Sequence, residues 1–259
     1  MKNVRRLLTG ISFLVFGAGS LNLAFTVLPL ILLFSTDKEV RRKRIQNTIS
    51  WHFRLFLKWM QALKLMRMDV SGVEQLCKNH HQRQGVLVIA NHLTLIDVVV
   101  LMAYMPDVDC VVKAGLYRNF FLKKIVRAAG YIPNVNPQKL LSDCTRTLNE
   151  GRNLIIFPEG TRRRPGEPLR FQRGVSHIAL QAGCYLRPVY LNCEPATLGK
   201  HQHWYDIPDK AFVFSLRVGE LISVAPWQDE KTSGIQTRLL TRHLEQHYRK
   251  ELSERPWKN

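Results

Sequence analysis

His92 and Asp97 are a residue pair whose types and spacing suit general-base chemistry. A carboxylate bonded to one imidazole nitrogen fixes the tautomer and stabilises the imidazolium. The other nitrogen is left to take a proton from a hydroxyl. Neighbours on a helix surface lie three or four residues apart, so a contact across five requires a turn. That turn would carry His92, with Asp97 in the first turn of the helix that follows. Just before them, Gly85 to Ala90 is a short apolar run rich in β-branched residues, which reads as a buried strand. Reacting groups in α/β folds sit at the carboxyl ends of strands. The same two residues also suit a partly buried histidine and an ordinary helix cap.

A second stretch has the same layout. Asn153 to Arg164 reads Asn-Leu-Ile-Ile-Phe-Pro-Glu-Gly-Thr-Arg-Arg-Arg, again a buried strand ending in a polar turn. Pro158 has no amide to donate and stops the ladder. Gly160 allows a turn and close approach of a ligand to the backbone. Arg162, Arg163 and Arg164 follow, with Arg170 and Arg173 shortly after. Guanidinium groups grip phosphate oxygens in a fork, so this is a candidate anion site, although a solvated basic loop has the same composition. A base at one strand end and an anion clamp at another suit transfer of a group to the hydroxyl of a phosphate-bearing acceptor.

The elements that must position these turns alternate in type. Apolar runs at Val86–Ala90, Cys110–Val112, Leu154–Phe157, Leu186–Leu191 and Phe212–Val218 read as strands. Helical patterns lie at 96–104, 118–129, 138–150 and 174–183, and a charged helix at 229–253 closes the chain. This order predicts an α/β fold, a mostly parallel sheet flanked by helices. Residues 71–84 are polar and predicted to be a loop. The 259 residues suffice for one large domain with an appendage, divided here into 1–70 and 71–259. Lys and Arg outnumber Asp and Glu 38 to 20, a formal charge of +18 that favours anionic partners. Cys77, Cys110, Cys144, Cys184 and Cys193 are scattered and odd in number, as expected of reduced thiols rather than a disulfide framework or zinc site.

Leu7 to Thr36 contains no charged residue, whereas Lys2, Arg5 and Arg6 precede it and Lys38, Arg41, Arg42, Lys43 and Arg44 follow. About 20 apolar residues suffice to span a bilayer. The segment predicts an N-terminal hydrophobic membrane-anchoring helix, either one tilted span or two shorter helices that dip in and return. The positive-inside rule puts the second flank in the cytoplasm. Residues 39–68 mix Arg and Lys with Trp51, Phe53, Phe56 and Trp59, and predict a basic helix on an anionic membrane surface.

Asn91-His92-x-x-x-x-Asp97, followed by Phe157-Pro158-Glu159-Gly160-Thr161-Arg162, resembles the glycerolipid acyltransferase family. The likeness covers roughly residues 80–220, with the two motifs in the family's order and spacing. It implies an O-acyltransferase that moves a fatty acyl group from acyl-CoA or acyl carrier protein to a lysophospholipid hydroxyl, that of 1-acylglycerol-3-phosphate in the first instance. His92 would be the base and Asp97 its orienting partner. Glu159, Gly160, Thr161 and Arg162 would bind the glycerol phosphate, with Lys113 and Arg173 as further basic contacts. No metal and no cofactor beyond the acyl donor is implied. The partners would be an anionic phospholipid surface, the donor and the acceptor, at the cell membrane with the active site facing the cytoplasm.

The chain departs from the family pattern at two places. Gly130-Tyr131-Ile132-Pro133-Asn134-Val135-Asn136 carries Asn136 where an arginine is expected, and Gln172 replaces a lysine in Phe171-Gln172-Arg173-Gly174. A neutral amide does not replace a bidentate cation, so an acceptor other than lysophosphatidic acid stays open. A metal hydrolase is the rival enzyme class, but His80-His81, His201-x-His203 and His243/His247 lack a His-Glu-x-x-His pattern. A non-catalytic basic protein that binds anionic lipid is the rival of another class. Nucleic-acid binding lacks any supporting signature.

Overall fold

Residues Leu87–Ala90 form a strand with every side chain buried, the pattern of a central strand covered on both faces. A computed structural model describes residues 2–76, 84–228, 234–254 and 257. Cys77, His80 and His81 lie outside these.

The strands are β1 (Met66–Ser71), β2 (Leu87–Ala90), β3 (Asp109–Lys113), β4 (Ile132–Asn134), β5 (Leu154–Ile156), β6 (Leu186–Glu194) and β7 (Phe212–Val218). They form one sheet in the order β1-β7-β6-β2-β5-β3-β4. Neighbours run parallel except β6 and β7, which are antiparallel. The expected mostly parallel sheet is present, flanked by helices on both faces. Side-chain alternation divides the core: Val88 and Ala90 join one apolar cluster, Leu87 and Ile89 the other.

The helices of the sheet domain are α3 (Lys38–Ala62), α4 (Asp97–Tyr104), α5 (Ala114–Arg118), α6 (Lys123–Ala128), α7 (Pro137–Asn149), α8 (Arg173–Ala182) and α9 (Gly234–Glu254); α1 and α2 precede them. The Tyr248 hydroxyl of α9 donates to Ile89 O at 2.6 Å and accepts from Val189 N at 3.1 Å. That pins α9 across the central strands.

Two local expectations are corrected. The basic helix stops at Ala62 rather than 68, where Lys64 takes a left-handed φ of 55°. Met66–Ser71 then pairs with β7 as an edge strand, because Met66, Met68 and Val70 alternate with Arg67, Asp69 and Ser71. The helix expected at 118–129 is two helices, α5 and α6. Asn119 divides them, its side-chain Oδ1 accepting the amides of Phe121 and Leu122 at 3.0 Å. Ile132–Asn134, unassigned from sequence, is the other edge strand, β4.

The N-terminal segment is a rod without a reversal: α1 (Lys2–Asn22), a π-helical turn at Leu23–Val27, and α2 (Leu28–Leu33). Pro29 lacks the amide that would continue the α-ladder, which accounts for the wider turn just before it. Two short re-entrant helices within 7–36 are therefore not formed. The chain reverses at 34–37, and Asp37 caps α3 by accepting Glu39 N and Val40 N, both at 2.8 Å. The rod lies along α3 for its length. Trp59 Nε1 donates to Ser12 Oγ at 3.1 Å, Phe16 meets Phe56 at 4.9 Å, and Arg44 donates to Ser35 Oγ at 2.8 Å. Lys2 pairs with Asp209 at 2.9 Å, so both ends of the rod are tied to one body. Leu23, Ala24 and Leu28 are buried in this contact, while Leu7, Leu14, Leu33 and Phe34 stay exposed.

Candidate active site

The strand β2 ends at Ala90, and the chain turns through residues 91–96 into α4, whose first residue is Asp97. Asn91 holds the strand end in register. Its amide nitrogen donates to Leu191 O and its oxygen accepts Leu191 N, each at 2.8 Å. The turn brings His92 Nδ1 to 2.8 Å from Asp97 Oδ2. Asp97 is 0% exposed and its neighbours donate inward. Leu93 N and Thr94 N reach Oδ2 at 2.6 and 2.9 Å, and Thr94 Oγ1 donates to Oδ1 at 2.6 Å. Such donors fix the carboxylate in place. With Asp97 accepting at Nδ1, that nitrogen carries the proton and Nε2 carries the lone pair.

The second turn abuts the first. The Phe157 ring stacks on the imidazole with centroids 4.2 Å apart and planes at 27°. Gly160 has φ 68°, the left-handed region where glycine carries no penalty, and reverses the chain toward the arginines. Arg163 N donates to His92 O at 2.8 Å, and Glu159 Oε1 accepts His92 N at 2.7 Å. Burial pushes the Glu159 carboxyl up to about 7, against the pull of the His92 amide and of Arg163.

A cavity of about 440 Å³ opens beside the imidazole. His92, Lys113 and Arg162 line its polar part, and Val98, Cys110, Leu140, Ile156, Val175 and Ile178 belong to its apolar wall. Cys110 is inert there, its thiol pushed up to about 12 by burial. The arrangement offers a base facing an apolar channel with cations beside it. That suits proton removal from the hydroxyl of an amphiphile with an anionic group.

The expected site residues fall into four positions. His92 and Asp97 are in contact. Lys113, Gly160 and Arg162 line the cavity, with Arg162 NH1 also donating to Leu198 O at 2.8 Å and Gly199 O at 3.1 Å. Thr161 is exposed beside them; Arg173, also exposed, opens α8 between two cavity-lining residues, Gln172 and Gly174. Glu159 is buried beneath the His92 turn. Asn136 caps α7, its oxygen accepting Gln138 N at 2.9 Å and Lys139 N at 3.0 Å. Thr94 is not singled out by the sequence, and Arg163, read there as part of the anion clamp with Arg162 and Arg164, instead holds His92 O. A hydroxyl three residues before Asp97 was a usable signal for Thr94, but three equal arginines gave none for Arg163.

Elsewhere, His203 meets Asp206 at 3.2 Å, and His247 Nε2 meets the Tyr190 hydroxyl at 2.6 Å. Cys110, Cys144, Cys184 and Cys193 are free and buried. Among the described residues no His, Cys, Asp and Glu cluster has the form of a metal site.

Residues 67–192, which carry both the His92–Asp97 turn and the turn at 157–164, match the family model described as Acyltransferase. Relatives named 1-acyl-sn-glycerol-3-phosphate acyltransferase include one from Borreliella burgdorferi, 28% identical over 140 residues, covering 51% of this chain and 53% of that protein. Another, from Helicobacter pylori, is 34% identical over 112 residues, covering 40% and 47%. The chain spans about half the length of these relatives. The crystal structure of the 1-acyl-sn-glycerophosphate (LPA) acyltransferase PlsC from Thermotoga maritima shares the fold, with a TM-score of 0.69 at 20% identity over 100% of both chains. Residues 67–192 belong to the Acyltransferase family, and the chain as a whole is similar to the glycerolipid acyltransferases.

Proposed function

We propose that this protein transfers a fatty acyl group from a thioester donor, acyl-CoA or acyl carrier protein, to the free hydroxyl of 1-acylglycerol-3-phosphate. The observation that carries this is the His92–Asp97 bond at the edge of an apolar cavity. The names of the relatives point to the same acceptor.

His92 Nε2 removes the acceptor's hydroxyl proton as the oxygen attacks the thioester carbonyl. Asp97, bonded to Nδ1, stabilises the imidazolium. The tetrahedral intermediate collapses with cleavage of the C–S bond, and His92 returns the proton to the departing thiolate. Only donor and acceptor are consumed. Arg162 and Lys113 attract the acceptor phosphate, with Thr161 and Arg173 at the rim, and the apolar wall takes an acyl chain.

A second acceptor reading rests on Asn136. Its side chain is spent capping α7, so the phosphate contact expected there is absent from this face. A lipid hydroxyl with a smaller anionic demand then competes with lysophosphatidic acid.

The test is transfer from labelled acyl-CoA and acyl carrier protein to lysophosphatidic acid, other lysophospholipids and hydroxylated lipids without phosphate. Transfer to lysophosphatidic acid is expected, lowered at least about a hundredfold in His92→Ala. Transfer confined to another acceptor would replace the acceptor and keep the chemistry. Inert wild-type protein would defeat the catalytic reading and favour a basic lipid-binding protein.

The rod and α3 lie on the cytoplasmic face of the cell membrane in this reading. Exposed Leu14 (74%), Leu33 (73%), Phe34 (73%) and Trp51 (55%) enter the acyl boundary, and nearby basic residues meet anionic headgroups. Vesicle flotation in high salt, which screens the basic residues, checks this. Leu14→Asp with Leu33→Asp should lower partitioning at least about tenfold, since each buried leucine contributes about 1.5–3 kcal/mol. Undiminished flotation would remove these residues from the membrane face.

A further inference from the structure

We propose that Glu159 is a positioning residue for His92 and not a substrate contact: with Arg163 it clamps the His92 peptide on both sides and so sets the direction of the imidazole. This deepens the acyl-transfer reading and rests on it for its kinetic arm. Glu159 is 8% exposed, and its neighbours Pro158 and Gly160 line the cavity while its carboxylate turns the other way. Oε1 accepts the His92 amide at 2.7 Å. Oε2 lies 3.2 Å from Arg163 Nε. The Arg163 amide in turn donates to the His92 carbonyl at 2.8 Å. One short segment therefore holds the amide, the carbonyl and, through Phe157, the ring of His92.

The imidazole direction needs this support. Asp97 fixes Nδ1 alone, and a ring on a turn still pivots about that bond. An error of about 1 Å in a reacting group costs on the order of a hundredfold. The groups facing the Glu159 carboxylate are the His92 amide, Arg163, Asp97 and the Tyr248 ring. Its pKa near 7 follows from burial, with Asp97 adding repulsion and Arg163 offsetting it. Above that pH the carboxylate accepts the His92 amide and forms an ion pair with Arg163. Below it the proton occupies one oxygen and the ion pair with Arg163 is lost. The acid limb of activity then includes the protonation of Glu159.

Glu159→Gln keeps the size and one acceptor but sets an amide donor against the guanidinium. It should lower kcat about ten- to a hundredfold with KM for donor and acceptor held within about twofold. The inflection near pH 7 on the acid limb of log kcat/KM should be lost. Arg163→Lys keeps the charge and loses the planar fork, and should move kcat in the same direction by less. A raised acceptor KM with unchanged kcat would overturn the proposal and return Glu159 to the substrate. Unchanged kinetics and an unchanged limb would also overturn it. The substrate-free protein supplies a second readout, the downfield Nδ1 proton of His92 bonded to Asp97. Its resonance should move or broaden in Glu159→Gln, and an unmoved resonance would count against the clamp. If wild-type protein proves inert on every acceptor while this resonance moves, the clamp stands and the acyl-transfer reading falls.

Discussion

Asp97 and Asp109 are both 0% exposed, at opposite ends of the same parallel sheet, and they have different partners. Asp109 opens β3. It accepts Arg152 NH1 at 2.6 Å, Gln46 Nε2 at 2.8 Å and Arg42 NH1 at 3.3 Å. Burial pushes its carboxyl up while the two arginines pull it back. Asp97 opens α4 and, among the described residues, meets no arginine. Its donors are two amides, a hydroxyl and an imidazole. A carboxylate locked between permanent cations ties α3 and α7's following turn to the sheet. A carboxylate bound to neutral donors and one titratable ring leaves a partner able to gain and lose a proton. The difference separates a structural charge from a chemical one, although both residues look alike by burial.

The comparison breaks first at Asp97. Asp97→Asn keeps the shape but presents an amide to Nδ1 and favours the wrong imidazole tautomer. Activity should fall by at least about a hundredfold with modest loss of stability. An active Asp97→Asn enzyme would mean that the carboxylate only caps α4. Asp109→Asn should do the reverse. Removing one partner of a buried ion network costs about 3–5 kcal/mol, so the midpoint of chemical denaturation should drop markedly. Specific activity of the remaining folded protein should stay within about twofold of wild type, as the network is remote from the reacting atoms. If Asp109→Asn lost activity and kept stability, the two ends of the sheet would have exchanged roles.

The strand-end turns were legible because an apolar run stops abruptly at Asn91-His92 and again at Pro158-Glu159. The orientation of Glu159 was not. At a strand end, successive side chains point to opposite faces, and nothing local tells Glu159 to face His92 while Pro158 and Gly160 face the cavity. The five longer-patterned strands were visible as apolar runs. The edge strand Met66–Ser71 was hidden by its charges Arg67 and Asp69 and by the helix before it. The rod at Lys2–Leu33 was visible as an apolar stretch, but hydropathy does not say which residues meet protein. Leu23, Ala24 and Leu28 are covered by the fold, whereas Leu14 and Leu33 are bare.

Asn136 gives the smallest effect and sharpens the same distinction between a group held for structure and one held for chemistry. In the family pattern this position carries a cation; here the side chain accepts Gln138 N and Lys139 N, just after Pro137 supplies a residue with no amide to satisfy. An exposed cap of this kind contributes about 1 kcal/mol. Asn136→Ala should therefore lower stability by about that amount and leave acceptor KM within about twofold, because the amide is committed to the helix. Asn136→Asp should retain the cap, since a carboxylate accepts the same two amides and faces the positive end of α7. A several-fold rise of acceptor KM in Asn136→Ala, with stability unchanged, would show the amide leaving its cap to meet the acceptor, and would move Asn136 from the scaffold into the site.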